Sequence, residues 1–293
     1  MIKSESPILA RAVAATVLCA VLALALFAAD RGRAANRVAA GEVDAASLVP
    51  RNPAVSQAAD WNLIFHDEFN GSFLNTRKWS RLRGDRHKYG SPFNRSLESA
   101  AYSIRNVTQN RGSAVLTLKR RPAKGYRRFP YSSGMIQSGP KFAFRYGYVE
   151  ARVKVPRCSG CWPAFWLLED PPDSSWPPEI DVFEFFDTAK EKRPHFNFHW
   201  KQGSRRRQTG IKPYGEPRRS YVGSWHTYAM LWTPETIQVF IDNQPGPTYN
   251  NAARIPHKAS YLIFNLALQR GNRPRSGRKM LIDFVRVWQP ATG

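Results

Sequence analysis

The chain has 293 residues, 42% hydrophobic and 13% aromatic, enough to bury the core of one large domain or two small ones. Its 44 Lys and Arg against 22 Asp and Glu give a formal charge of +22, a balance that suits an anionic partner such as nucleic acid, anionic lipid or an acidic polymer. The bases are spread through every segment (KRRPAKGYRR, KQGSRRR, RGNRPRSGRK) rather than gathered on one helical pattern, which argues against a nucleic-acid-binding face.

In chain order, Lys3 and Arg11 precede an uncharged run, AVAATVLCAVLALALFAA, over residues 12–29. It reads as the apolar stretch of a signal peptide or as a short membrane anchor, so residues 1–35 imply export, with the product either secreted or held on the outer side of the cytoplasmic membrane. Residues 36–57, rich in Ala, Arg, Val and Gly without a sustained period, read as a linker. From there to residue 293 the texture is one of short alternating or aromatic runs broken by Gly, Pro, Asn and Asp: WNLIF, AVLTLKR, GYVEARVKVP, PAFWLLE, HFNFHW, HTYAMLW, TIQVFID, YLIFNLAL and MLIDFVRVW. Each has the length and β-branched or aromatic content of a strand, and no long stretch has helical period. One all-β domain over 58–293, a sandwich or jelly roll, is expected. TPET and DNQPG read as turns on either side of TIQVFID. With Cys19 in the exported segment, Cys158 and Cys161 remain, and CSGC reads as a small disulfide pinching a turn between two strands.

The segment EIDVFEFFD, residues 179–187, sets four acids among aromatic and branched residues. Strand alternation puts Glu179 and Asp181 on one face, and Glu184 falls out of phase by one residue. A bulge at Val182–Phe183 restores the phase, with Ile180, Val182 and Phe185 turned to the core. Glutamates so spaced bring their carboxyls to roughly 5–6 Å, the separation at which one attacks an anomeric carbon and the other protonates the leaving oxygen. Three acids this close cannot all ionise freely, and at least one pKa must rise. The competing readings are an exposed acidic strand face and a calcium site, the latter disfavoured by the strand-like, aromatic context.

EIDVFE resembles the ExDxxE signature of glycoside hydrolase family 16 in its bulged form, the laminarinase, β-glucanase and agarase type. FHDEFNG with Lys78–Trp79, SGMIQSG, FRYGYVEARVKVP, GCWPAFWLLE, WHTYAMLWTPETIQVFIDNQ, YLIFNLAL and MLIDFVRVWQ resemble the family's other segments, in its order, over about residues 60–290. The resemblance implies a jelly roll of two curved antiparallel sheets, like concanavalin A, with a glycan cleft across one face. It implies an endo-acting, retaining hydrolase of a β-linked polysaccharide, with Glu179 as nucleophile, Glu184 as acid/base and Asp181 tuning the nucleophile. A transglycosylase on the same site and a non-catalytic glycan-binding jelly roll are the alternatives.

Trp176 matches a tryptophan that stacks on sugar, and His199 falls where many members place a histidine near the acids. Trp162 and Trp166, four apart, are further candidates for the cleft lining, as are Asn265 and Gln269 on one face of the YLIFNLALQ run. Glu150 and Arg152 read as either an ion pair or a glycan contact. Pro178 stands where the family often has Gly, and NLALQRGN replaces a Gly-Gly, so Arg270 and its loop bring positive charge toward one end of the cleft. The chemistry needs no cofactor or metal. A structural calcium away from the cleft is a feature of the family, with Glu68 and Asp283 as its candidate carboxylates. The partners expected are a polysaccharide, neutral β-glucan or an acidic exopolysaccharide, and no nucleic acid; the protein is expected to be a monomer.

Overall fold

A computed structural model describes residues 48–291, apart from 58–59, 84–89, 111 and 172–175. The apolar run at 12–29 lies outside the described residues. One short helix, α1 (Pro53–Ser56), is capped by Asn52, whose side chain accepts from the Ala54 N–H. The strands in order are β1 (Trp61–Asp67), β2 (Ala100–Tyr102), β3 (Val107–Gln109), β4 (Ala114–Leu118), β5 (Tyr131–Ser133), β6 (Met135–Gln137), β7 (Gly147–Lys154), β8 (Cys161–Glu169) and β9 (Glu179–Glu184). They continue as β10 (His195–Gln202), β11 (Arg205–Gln208), β12 (Lys212–Pro213), β13 (Trp225–Trp232), β14 (Ile237–Ile241), β15 (Gln244–Tyr249), β16 (Ser260–Leu268) and β17 (Arg278–Pro290).

Two antiparallel sheets make the expected sandwich. The first runs β15-β14-β13-β7-β17-β4-β3, with β1 also on β17; the second runs β11-β10-β9-β8-β16-β6, with β12 on β10. A short parallel pair, β2 and β5, departs from the antiparallel expectation. The shared core is the inward half of each alternating strand: Val149, Val153 and Met230 from the first sheet meet Phe165, Ile180, Val182 and Phe264 from the second. Phe165 stacks on Phe264 at 4.3 Å, and Phe183 reaches across to Tyr228 at 4.2 Å. The mostly apolar β16 is buried along its whole length because its outer face lies under a second cluster containing Tyr102, Met135 and Trp166.

The hairpin between β14 and β15 turns on Asp242 and Asn243, both with positive φ (48° and 65°), the signature of a two-residue type I′ turn. Gln244, Pro245 and Gly246, read from sequence as part of that turn, instead begin β15, an edge strand on which prolines cost no ladder bond. Cys158 and Cys161 form the expected disulfide, S–S 2.00 Å, across the turn that enters β8 at Cys161.

Residues 48–57, read from sequence as the end of a linker, pack onto the first sheet. Val55 is buried, Trp288 Nε1 donates to the Leu48 carbonyl at 2.8 Å, and Trp61 Nε1 donates to the Val55 carbonyl at 2.9 Å. The pairing is of long-range side chains with main-chain carbonyls, which composition does not signal.

Candidate active site

The bulge in β9 is the local event from which the site follows. Against β8, Phe165 opposes Phe183 while Trp166 opposes Asp181, so Val182 is the extra residue. Against β10, His195 opposes Glu184 and Asn197 opposes Asp181, the same one-residue surplus. Ile180, Val182, Phe183 and Phe185 therefore all turn into the core, and Glu179, Asp181 and Glu184 all line one cleft of about 580 Å³ on the open face of the second sheet.

Each outer carboxylate has its own indole donor. Trp176 Nε1 donates to Glu179 Oε2 at 2.8 Å, and Trp162 Nε1 donates to Glu184 Oε1 at 2.8 Å. Asp181 lies between them, its Oδ2 buried and without a hydrogen-bond partner. His199 Nε2 stands 3.4 Å from that Oδ2, 3.5 Å from Glu179 Oε1 and 2.9 Å from Asn197 Nδ2. Asn197 is held in turn by Thr209, whose hydroxyl donates to its carbonyl at 3.1 Å.

Burial raises the pKa of all three acids. For Glu179 and Glu184 the neighbouring charge of Asp181 adds to the rise, and the indole donors and His199 oppose it. Asp181 itself is pushed up to about 8 by desolvation. With all three raised, the neighbouring carboxyls can share protons, the condition for paired acid and base roles. Glu179, Asp181 and His199 also present ligand atoms within 4.8 Å of one another, a spacing that a divalent cation can use.

On the other side of β9, Trp166 Nε1 donates to Asn265 Oδ1 at 2.7 Å, Asn265 Nδ2 donates to the Tyr102 hydroxyl at 3.0 Å, and that hydroxyl donates to Glu98 Oε2 at 3.0 Å. Phe93 meets Trp166 edge-on at 4.6 Å. Burial lifts Glu98 to about 7, against the Asn94 N–H that donates to it. Trp162, Trp166, Trp176, His199 and Asn265 all line the cleft with the three acids, so the tryptophans four apart on β8 do point the same way.

Gln269 is not brought into the lining: it follows β16, and its backbone N–H donates to Gly160. Glu150 and Arg152 share the outer face of β7 but do not pair with each other. Glu150 is fully buried between Arg51 and Arg286, at 3.8 and 3.7 Å, and Arg152 reaches Asp283 at 2.7 Å. Arg286 also grips both oxygens of Glu68 at 2.8 Å. Glu68 and Asp283 therefore spend their charge on arginines, and this pair does not fit a calcium. Arg270 donates to the main-chain carbonyls of Ser96 and Arg95, so it fastens the loop bearing Leu97 and Glu98 rather than entering the cleft.

Sequence reasoning missed Phe93, Glu98, Tyr102, Phe186 and Gln208. The only trace of Gln208 is its place opposite His199, visible once β10 and β11 are paired. The loop residues carry no periodic signal at all.

The family model for glycosyl hydrolases family 16 matches residues 95–286. Among curated proteins, the chain is 31% identical over 280 residues to a glucan endo-1,3-beta-glucosidase A1 of Niallia circulans, covering 82% of this chain and 39% of that protein. It is 33% identical over 221 residues to the endo-1,3-1,4-beta-glycanase ExsH of Rhizobium meliloti, covering 70% of this chain and 43% of that protein. The chain thus spans about two-fifths of the length of these relatives. Among solved structures, an endo-beta-1,3-glucanase from Pyrococcus furiosus superposes with a TM-score of 0.68 at 27% identity, over 80% of this chain and 97% of that one.

Proposed function

Because the chain belongs to the glycosyl hydrolases of family 16, we propose that it is an endo-acting hydrolase of a β-linked polysaccharide that works with net retention. The observation that carries this reading is the bulge, which places Glu179, Asp181 and Glu184 side by side in one cleft with a separate indole donor on each glutamate. The relatives named above, all endo-acting on β-glucans or β-glycans by their names, support the substrate class.

Glu179 must be ionised to attack the anomeric carbon. The Trp176 N–H favours that state, and a proton carried by Asp181 relieves the repulsion that would otherwise oppose it. Glu184 enters protonated, held so above all by burial, and gives its proton to the departing sugar oxygen. It then takes a proton from the water that releases the sugar from Glu179. The exposed indole of Trp176 offers a flat apolar face to the sugar's C–H groups. We place the enzyme outside the cytoplasm, where a polymeric substrate is met and where the Cys158–Cys161 disulfide persists.

The test is release of oligosaccharides from a panel of β-1,3-glucan, mixed-linkage glucan, agarose, carrageenan and acidic exopolysaccharide. Wild type is expected to cut at least one member to short products of retained anomeric configuration. Glu179→Gln and Glu184→Gln should each lose at least about a thousandfold in kcat. Products longer than the substrate would indicate transfer to sugar rather than water. Binding without release on the whole panel would overturn the hydrolase reading.

A further inference from the structure

A cation stands at one end of the cleft that the proposed chemistry does not use. β11 runs antiparallel to β10, with Gln208 opposite His199 and Arg206 opposite Lys201. Opposed residues share a face and alternate residues return to it, so Gln208 and Arg206 stand on the face of His199, while Arg205 and Arg207 take the other. Two contacts agree with this: Gln208 lines the cleft, and the Arg206 guanidinium lies 4.8 Å above the ring of Trp176, the indole that donates to Glu179. Arg206 is exposed, and among the described residues no carboxylate pairs with it.

A glycan laid across this face passes over β16, β8, β9 and β10, in the order of the lining, and leaves over β11. Its last seated unit therefore lies beside Arg206. Stacking on an indole engages only the flat face of a guanidinium and leaves its N–H edges free, in the fork geometry that fits an oxyanion. A neutral sugar hydroxyl gains less from such a fork than a charged group does.

We propose that Arg206 reads an anionic substituent, a carboxylate or a sulfate ester, on the glycan unit seated at the β11 end of the cleft, so that the preferred substrate is an acidic β-glycan. This rests on the reading of the cleft as a glycan hydrolase and names its substrate class. The formal charge of +22 assists by drawing such a polymer in from a distance.

The experiment uses the full chain and one parent β-1,3-glucan in three forms: neutral, carboxymethylated and sulfated. Arg206→Gln is expected to lower kcat/KM about threefold to tenfold on a charged form and to leave the neutral form unchanged. Whichever charged form responds names the group. Arg205→Gln, which removes the same charge from the opposite face, should change nothing. Equal losses in both variants would reduce the effect to diffuse attraction. An equal loss on the neutral glucan would mean that Arg206 only steadies Trp176, and no loss anywhere would end the proposal directly. A wild type that cuts none of the three leaves the hydrolase reading to the wider panel above and moves this test to binding. Affinity of Glu179→Gln for the charged glycans, with and without Arg206→Gln, then decides: the same threefold to tenfold weakening supports anion reading, and none overturns it.

Discussion

Trp176 and Trp162 each hold one of the two outer glutamates through an indole N–H, at 2.8 Å in both cases. A donor to a carboxylate stabilises its charged form, so each indole lowers the pKa of its partner against the rise imposed by burial. Replacing Trp176 with Phe should raise the Glu179 pKa further. Because Glu179 must be ionised to attack, the acid limb of the kcat/KM profile should move to higher pH by roughly half to one unit. Replacing Trp162 with Phe should raise that of Glu184, which must be protonated to act, so the alkaline limb should move to higher pH by a similar amount. Profiles in which the wrong limb moves, or neither does, would reassign the two roles. At this scale the sequence showed the acids because their phase conflicts with strand alternation, and it showed Trp162 and Trp166 because four residues on a strand return to one face. Glu98 and Tyr102 were invisible, since their link to Trp166 through Asn265 joins segments 163 residues apart.

Val182 is the residue on which the element depends. Its surplus turns Glu184 back to the cleft while leaving Val182 and Phe183 in the core. Deleting Val182 would restore regular pairing and turn either Glu184 or the Glu179–Asp181 pair into an apolar core. The expected outcome is loss of activity together with a large fall in Tm, whereas Val182→Ala, which keeps the residue count, should lose about 1–3 kcal/mol of stability and retain the pH profile. Unfolding curves and kcat for the pair separate register from packing. The bulge was legible because it alone gave both faces of EIDVFEFFD a consistent chemistry. The extent of β15 was not, because prolines and a glycine read as turn residues whether or not an edge strand tolerates them.

Across the whole molecule, the outer face of the first sheet is tied by charge. Arg286 bridges Glu68 and the fully buried Glu150, and Arg51 from the N-terminal segment approaches the same Glu150. Arg286→Met would leave Glu150 without its main counter-charge in a site whose burial already lifts its pKa to about 7. A loss of about 3–5 kcal/mol is expected in urea unfolding at alkaline pH, where Glu150 is ionised beside Arg286 in the wild type. With Arg286 present the folded Glu150 titrates at about 7 and loss of Arg286 raises that further, so protonation relieves the variant and the loss should shrink as pH falls through 7. A loss that does not vary with pH would place the cost in packing instead. The sandwich itself was legible from strand texture, but the packing of residues 48–57 was not, because Leu48 and Val55 are held through main-chain carbonyls that any residue carries.

β17, which follows every other described strand in the chain, lies inside its sheet, against β7 on one edge and β4 and β1 on the other. Until residues 278–290 have left the ribosome, β1 and β4 have no strand to join them to β7, and the first sheet exists only as separate halves. The first sheet therefore closes only once residues 278–290 are free to pair, with many apolar strands exposed until then.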